Sequence, residues 1–322
     1  MPKVAITDFT FPTLEFEHSI LDPAGVEIVS GQCKTPESLI PLVADADAVI
    51  TQFADVNADV VRAMQTAQVI VRYGIGFDNV ACDVARELNI PVCNVPDYCI
   101  DEVADHTLAF ILSMTRQLRA NSGHMHQGNW GLGVPLDQMR ALRDQTVGVI
   151  GLGRIGRTVV ERLRAFKPRI VVCDPLVSVE EAVSLGCELS SLEALLAESD
   201  IVTLHCPSND ATRGMINAGS LEKMKAGSIL INVGRGDLVA LDALTSALES
   251  GHLAGAALDV FDPEPPPTDS PLLAMSNVMV SSHIASASPK AARKLRETAA
   301  GLALAAINHE PLPNVVNGVE KE

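Results

Sequence analysis

The stretch VGVIGLGRIG, residues 147–156, decides the reading of this chain. An apolar run flows into Gly151, Gly153 and Gly156 and then into a helical pattern with no further Gly or Pro until Pro168. That is the layout of a dinucleotide-binding turn. Gly151 permits the tight turn off the strand, Gly153 lets the backbone approach a pyrophosphate, and Gly156 lets helix and strand pack closely. The helix then points its unpaired N–H groups at the anion. Three glycines at fixed spacing are weak evidence alone, and the bland alternative is a Gly-rich corner. Context favours the ligand: a second apolar run, residues 169–173, ends in Asp174, 18 residues beyond Gly156. An acidic side chain there accepts hydrogen bonds from an adenosine ribose.

The length of 322 residues suggests two domains, each able to bury its own core. Hydrophobic content of 47% and charged content of 20% describe an ordinary globular protein. No apolar run approaches the roughly 18 residues of a membrane span. The opening MPKVAITDF reads as a first strand instead of a signal peptide, so a cytoplasmic protein is expected. A net charge of −16 repels nucleic acid and anionic membranes, and neither is expected as a partner. The seven cysteines lack a CxxC pair and sit mostly in apolar surroundings, which favours reduced thiols over disulfides or a metal site.

Working outward, residues 4–7, 26–30, 48–51, 69–73 and 91–95 read as strands, with helical segments such as 57–66 and 82–89 between the later ones. Strands alternating with helices imply an α/β unit with a parallel sheet covered on both faces. Its Tyr73-Gly74-Ile75-Gly76 has Asn79 where a third glycine would complete a fingerprint. Residues 100–120 read as one long amphipathic helix, and 121–143, with the single Trp130, as an irregular arm. Beyond the fingerprint, runs at 201–205, 228–233, 255–260 and 278–281 bring the second doubly wound sheet to about six strands. A last helix, about 289–309, is expected to cross back to the first unit. The expected fold is therefore two doubly wound parallel-sheet domains, flavodoxin-like and Rossmann: residues 1–100 with 288–322 for substrate, and an inserted 101–287 for the dinucleotide.

Open α/β sheets bind ligands at the carboxyl ends of their strands. Three residues past strands of the second unit stand out: Arg235 in INVGRGDLV, Glu264 in LDVFDPEPPP and His283 in VMVSSHIAS. Interconverting a 2-oxo acid and a 2-hydroxy acid with a nicotinamide needs a cation for the carboxylate, a proton donor for the oxygen, and a group that keeps the donor charged. Arg235 offers the planar fork. His283 can carry the proton, and a neighbouring Glu264 carboxylate stabilises its imidazolium. Singly, each residue has a plainer reading as a salt-bridging, solvated or structural side chain. The trio gains weight from lying past strands of one nucleotide-binding sheet.

At these residues the chain resembles the D-isomer-specific 2-hydroxyacid dehydrogenases. The resemblance runs from about Val69 to Ala287 through VRYGIGFDNV, NVPDYCIDEVADHT, GLGRIG, LHCP, INVGRG, GAALDVFDPEP and SSHIA. It is strongest toward the branch that holds the C-terminal binding proteins and phosphoglycerate dehydrogenases. It implies that Arg235, Glu264 and His283 are the catalytic set. It also implies that Gly151, Gly153, Arg154, Ile155, Gly156, Asp174, His205, Cys206, Pro207, Thr212, Val233, Gly234 and Asp259 line NAD, with Asp259 near the nicotinamide amide. Gly74, Ile75 and Gly76 would meet the substrate carboxylate beside Arg235. Asp174 favours NAD over NADP, because its carboxylate repels a 2′-phosphate and Pro175 supplies no cation. Arg72 is either a second anion contact or an arginine paired with acidic neighbours.

Two departures from the family pattern stand out. Ser282 precedes the histidine where many members have Pro, and Ala285, Ser286 and Ala287 follow it. Formate-oxidising relatives have Gln at the position of Glu264, which argues against formate. The expected activity is NAD-dependent interconversion of a small 2-oxo acid and the D-2-hydroxy acid by a homodimer, with residues 121–143 at the interface. The alternative is a corepressor-like protein that senses NAD(H) with little turnover.

Overall fold

The computed structural model describes residues 1–319 and divides into two compact units, Met1–Tyr98 with the segment from Ser288 onward, and Cys99–Ala287. The expected first domain also took in residues 320–322, which lie outside the described residues.

In the first unit five strands, β1 (Lys3–Ile6), β2 (Glu27–Ser30), β3 (Ala48–Thr51), β4 (Val69–Arg72) and β5 (Val92–Cys93), form a wholly parallel sheet in the order β2-β1-β3-β4-β5. β3 and β4 are buried along their whole length, as strands covered on both faces must be. Helix Pro289–Ile307 lays Leu295, Ala299, Ala300 and Ala303 against Val4, Ile6, Val69 and Val71 on one face. Leu39 and Val43 of helix Pro36–Val43, with Val60 and Val61, cover the other. Asn57 starts helix Ala58–Ala63 by accepting the N–H groups of Asp59 at 3.1 Å and Val60 at 3.2 Å.

A buried ion pair ties the two sequence ends of this unit together. Arg296 grips Glu17 with both forks, Nε to Oε1 at 2.8 Å and Nη2 to Oε2 at 2.6 Å, and Tyr73 donates its hydroxyl to Oε1 at 2.8 Å. The guanidinium also lies 4.8 Å from the Phe11 ring and 4.6 Å from the Phe16 ring. Burial and then the Glu17 charge push the Tyr73 phenol far above its ordinary pKa, so it serves as a donor.

The second unit holds β6 (Thr146–Ile150), β7 (Arg169–Cys173), β8 (Glu188–Leu189), β9 (Ile201–Leu204), β10 (Ser228–Asn232), β11 (Leu253–Leu258) and β12 (Val278–Val280). All are parallel, in the order β12-β11-β10-β9-β6-β7-β8. The order reverses between β6 and β9, the switch point where open α/β sheets take ligands.

The sheet has seven strands where the sequence suggested about six. The extra one is β8, a two-residue edge pairing beginning at the exposed Glu188, too short and polar to leave an apolar run.

The expected single helix over 100–120 is two. Ile100–Thr115 ends where the Thr115 carbonyl accepts the Arg140 N–H at 3.0 Å, Gln117 turns left-handed at φ 50°, and Leu118–His126 follows. The arm that the sequence left irregular is thus helical in its first part. That helix has no buried residue, and so carries no apolar stripe.

All seven cysteines are free thiols. Among the described residues no helix is long and apolar enough to cross a membrane.

Candidate active site

The turn between β6 and helix Arg154–Arg164 uses its glycines for three different reasons. Gly151 sits at φ 92°, and a Cβ there would lie 2.6 Å from the Cys206 nitrogen. A Cβ on Gly156 would strike the Gly151 carbonyl oxygen, so the helix meets the end of the strand only if residue 156 is bare. At Gly153 a Cβ would enter open space, so here glycine exposes backbone to whatever occupies that space. Arg154 is exposed and Ile155 half-buried at the helix start.

Asp174, just past β7, accepts the Leu152 N–H at 2.7 Å on one oxygen and the Leu176 N–H at 2.9 Å on the other. Its carboxylate is thereby fixed to the glycine turn with lone pairs remaining. An open, glycine-lined helix N-terminus beside a fixed carboxylate fits a dinucleotide.

On the other side of the switch point, β9 delivers His205, Cys206 and Pro207. His205 meets Thr203 Oγ1 through Nε2 at 3.0 Å, and its Nδ1 is buried without a hydrogen-bond partner among the described residues. Burial lowers its pKa to about 4, so the ring is neutral. Burial also raises the Cys206 thiol to about 11, which leaves it protonated. Thr212 closes the following loop by donating to the Pro207 carbonyl at 2.6 Å.

β10 leads through the buried Val233 to Gly234 and Arg235. Asn232 straps this turn, its amide donating to the Arg235 carbonyl at 2.7 Å and its oxygen accepting the Gly234 N–H at 3.0 Å. Gly236 is pressed so closely on the Phe261 carbonyl that no Cβ fits. The Arg235 turn therefore lies on the exit of β11, from which Glu264 springs.

Glu264 and His283 meet directly. Glu264 Oε2 lies 2.8 Å from His283 Nδ1, while Oε1 accepts the Phe261 N–H at 2.9 Å. Burial raises the Glu264 pKa, but the hydrogen bond and charge of His283, the Phe261 N–H and Arg235 outweigh it and hold the carboxyl below its usual range. The dyad is reachable, with side chains 26% exposed at His283 and 32% at Glu264.

His283 itself has φ 56°. This left-handed backbone costs a non-glycine residue about 1–2 kcal/mol and persists only where surroundings over-determine it. Asp259, 1% exposed, does so. Its carbonyl accepts the His283 N–H at 2.7 Å, and its carboxylate accepts Ile284 N–H at 2.9 Å and Ala285 N–H at 2.8 Å. Sequence reasoning set Asp259 beside the cofactor and missed its hold on this turn. It also missed His106 of helix Ile100–Thr115, whose Nε2 is 3.1 Å from Ser281 Oγ. The 175-residue separation leaves no local signal for that contact.

In the first unit, the Arg72 guanidinium lies against Gly74, whose φ of 154° and missing Cβ make room for it, and 5.9 Å from the Phe53 ring. The carbonyls of Gly74 and Ile75 accept Val95 N–H at 2.9 Å and Asn94 Nδ2 at 2.6 Å. Among the described residues nothing accepts the N–H groups of Ile75 or Gly76.

Residues 108–285 match the family described as "D-isomer specific 2-hydroxyacid dehydrogenase, NAD binding domain". The chain is 36% identical over 271 residues to D-3-phosphoglycerate dehydrogenase of Archaeoglobus fulgidus, covering 83% of this chain and 50% of that protein. It is 34% identical to glyoxylate reductase of Aeropyrum pernix, over 98% of this chain and 96% of the relative. Several of the curated relatives it matches are longer proteins, of which this chain spans 50–59%. Among solved structures, D-lactate dehydrogenase of Aquifex aeolicus in complex with NAD and lactic acid superposes with a TM-score of 0.88 at 27% identity, over 99% of this chain and 100% of that one. The chain belongs to the D-isomer specific 2-hydroxyacid dehydrogenase family, and its second unit carries that family's NAD-binding domain.

Proposed function

We propose that this protein is an NAD-dependent oxidoreductase that interconverts a small 2-oxo acid and the D-2-hydroxy acid. The observation that carries the proposal is the His283–Glu264 pair at 2.8 Å, set at the edge of a dinucleotide-type sheet beside Arg235. The glycine turn at 151–156 and Asp174 would hold NAD(H), which would accept or supply the hydride. Glu264, kept ionised by its low pKa, accepts the Nδ1 proton of His283 and so directs the reactive lone pair to Nε2. In oxidation neutral Nε2 takes the hydroxyl proton, and in reduction the imidazolium returns it to the carbonyl oxygen. Arg235 binds the acid and polarises its carbonyl. In the first unit the Ile75 and Gly76 N–H groups are proposed as donors to a carboxylate, and Arg72 lies against the neighbouring Gly74. Asp174 selects NAD over NADP. Relatives named glyoxylate reductase and D-3-phosphoglycerate dehydrogenase support the substrate class.

We further propose a cytoplasmic homodimer. Free cysteines suit a reducing compartment. On the 121–143 arm, Trp130 is 91% and Leu136 73% exposed, large apolar groups that a second copy would cover. Sedimentation at micromolar concentration should give a dimer, and Trp130→Asp with Leu136→Asp should give monomers; a monomeric wild type would refute the dimer.

The test of function is NADH consumption with glyoxylate, hydroxypyruvate, pyruvate and phosphohydroxypyruvate. Turnover of at least one is expected. NADH binding without turnover of any acid would instead describe a cofactor-sensing binding protein.

A further inference from the structure

We propose that His106 and Ser281 are positioning residues for His283, acting through the buried carboxylate of Asp259. The inference rests on the catalytic reading of His283 given above.

The direction of each hydrogen bond follows from proton counting. Ser281 donates its single hydroxyl proton to Asp259 Oδ1 at 2.5 Å. Ser281 Oγ must then accept from His106 Nε2, 3.1 Å away, which places the proton of His106 on Nε2. His106 is held in turn by the Phe110 ring, edge-on at a centroid distance of 4.4 Å.

The chain His106, Ser281, Asp259 runs from the helix Ile100–Thr115 to the end of β11, and it terminates on the turn that carries the histidine. Asp259 Oδ1 receives both the Ser281 hydroxyl and the Ile284 N–H at 2.9 Å, while Oδ2 receives the Ala285 N–H at 2.8 Å. The Asp259 carbonyl takes the His283 N–H at 2.7 Å. Three consecutive N–H groups, of residues 283–285, thus depend on one aspartate. That aspartate is anchored in turn by Ser281, and Ser281 by His106. Without that bond its carboxylate is held only by the two N–H groups it is meant to hold, and the turn that keeps His283 left-handed is loosened. A general acid displaced by a fraction of an ångström loses rate more than binding.

The experiment compares wild type with His106→Leu, His106→Gln and Ser281→Ala in two measurements. The first is amide hydrogen exchange at Ile284 and Ala285 without added substrate. The second is steady-state kinetics with NADH and the best 2-oxo acid. His106→Leu and Ser281→Ala should exchange about tenfold faster at both amides and lose kcat about tenfold to a hundredfold, with both KM values within about twofold. His106→Gln, which keeps an N–H donor on a side chain of similar reach, should recover most of both. Wild-type exchange in folded His106→Leu and Ser281→Ala would overturn the proposal, as would faster exchange with unchanged kcat. A general loss of structure in His106→Leu leaves Ser281→Ala, the smaller change, to decide. If the wild type itself turns over no acid, the enzyme reading falls and takes the catalytic role with it, while the exchange data still report whether His106 and Ser281 hold the turn.

Discussion

His283 combines a strained backbone with a paired ring: φ is 56°, and Nδ1 faces a carboxylate at 2.8 Å. Its replacement by Ala should lower kcat by about 10²–10⁴-fold, the usual worth of a positioned acid–base group, with NADH affinity within about twofold by fluorescence titration. Unchanged turnover would remove His283 from the chemistry. The pH behaviour of its partner has a definite sign. The folded pKa of Glu264 lies below its ordinary value, so the contribution of its carboxylate is present above that value and is lost as pH falls through the lower one. His205 behaves oppositely to a salt-bridged histidine. Its folded pKa of about 4 lies below the ordinary 6.5, so the unfolded chain binds the extra proton between those values. Stability is then full above about pH 6.5 and should fall by about 2 kcal/mol between pH 7 and pH 5, a loss that urea unfolding would detect. His205→Gln should flatten that decline, and an equal decline in the variant would assign it to other groups.

Among elements, the parallel strands were the most legible, because a strand buried on both faces must be an apolar run bounded by polar turns. β8 and helix Leu118–His126 were illegible for the complementary reason: one is a two-residue edge pairing and the other buries no face. The carboxyl-end rule was enough to nominate Arg235, Glu264 and His283, since β10, β11 and β12 are neighbours and all point one way. It could not reveal His106, which reaches Ser281 only because helix and sheet pack across 175 residues of sequence. Nor could it reveal that Gly236 is required by the backbone of Phe261. Gly236→Ala must push the Arg235 turn off the exit of β11. It should cost about 10²-fold in kcat/KM, through a raised KM for the acid and a lowered kcat, while NADH binding persists. Wild-type kinetics would show that the turn tolerates displacement.

At the scale of the whole chain, the first unit is closed by residues from both ends of the sequence. Arg296 and Glu17, 279 residues apart, pair at 2.6 Å with almost no exposure. Removing one member strands a buried charge, so Arg296→Ala should destabilise the protein by about 3–5 kcal/mol in urea unfolding. A change below about 1 kcal/mol would mean that water reaches Glu17 in the variant. Neither this pair nor its contact with Tyr73 was visible in the sequence, because a lone Arg on a terminal helix reads as a surface charge. Hydride transfer between NAD(H) and a small 2-oxo or 2-hydroxy acid, with His283 as acid and base, is decided by NADH consumption across the acid panel in wild type and His283→Ala. Turnover of at least one acid is expected in the wild type, with its loss in the variant that still binds NADH. Binding of NADH with no turnover of any acid, or equal turnover by both proteins, would contradict it.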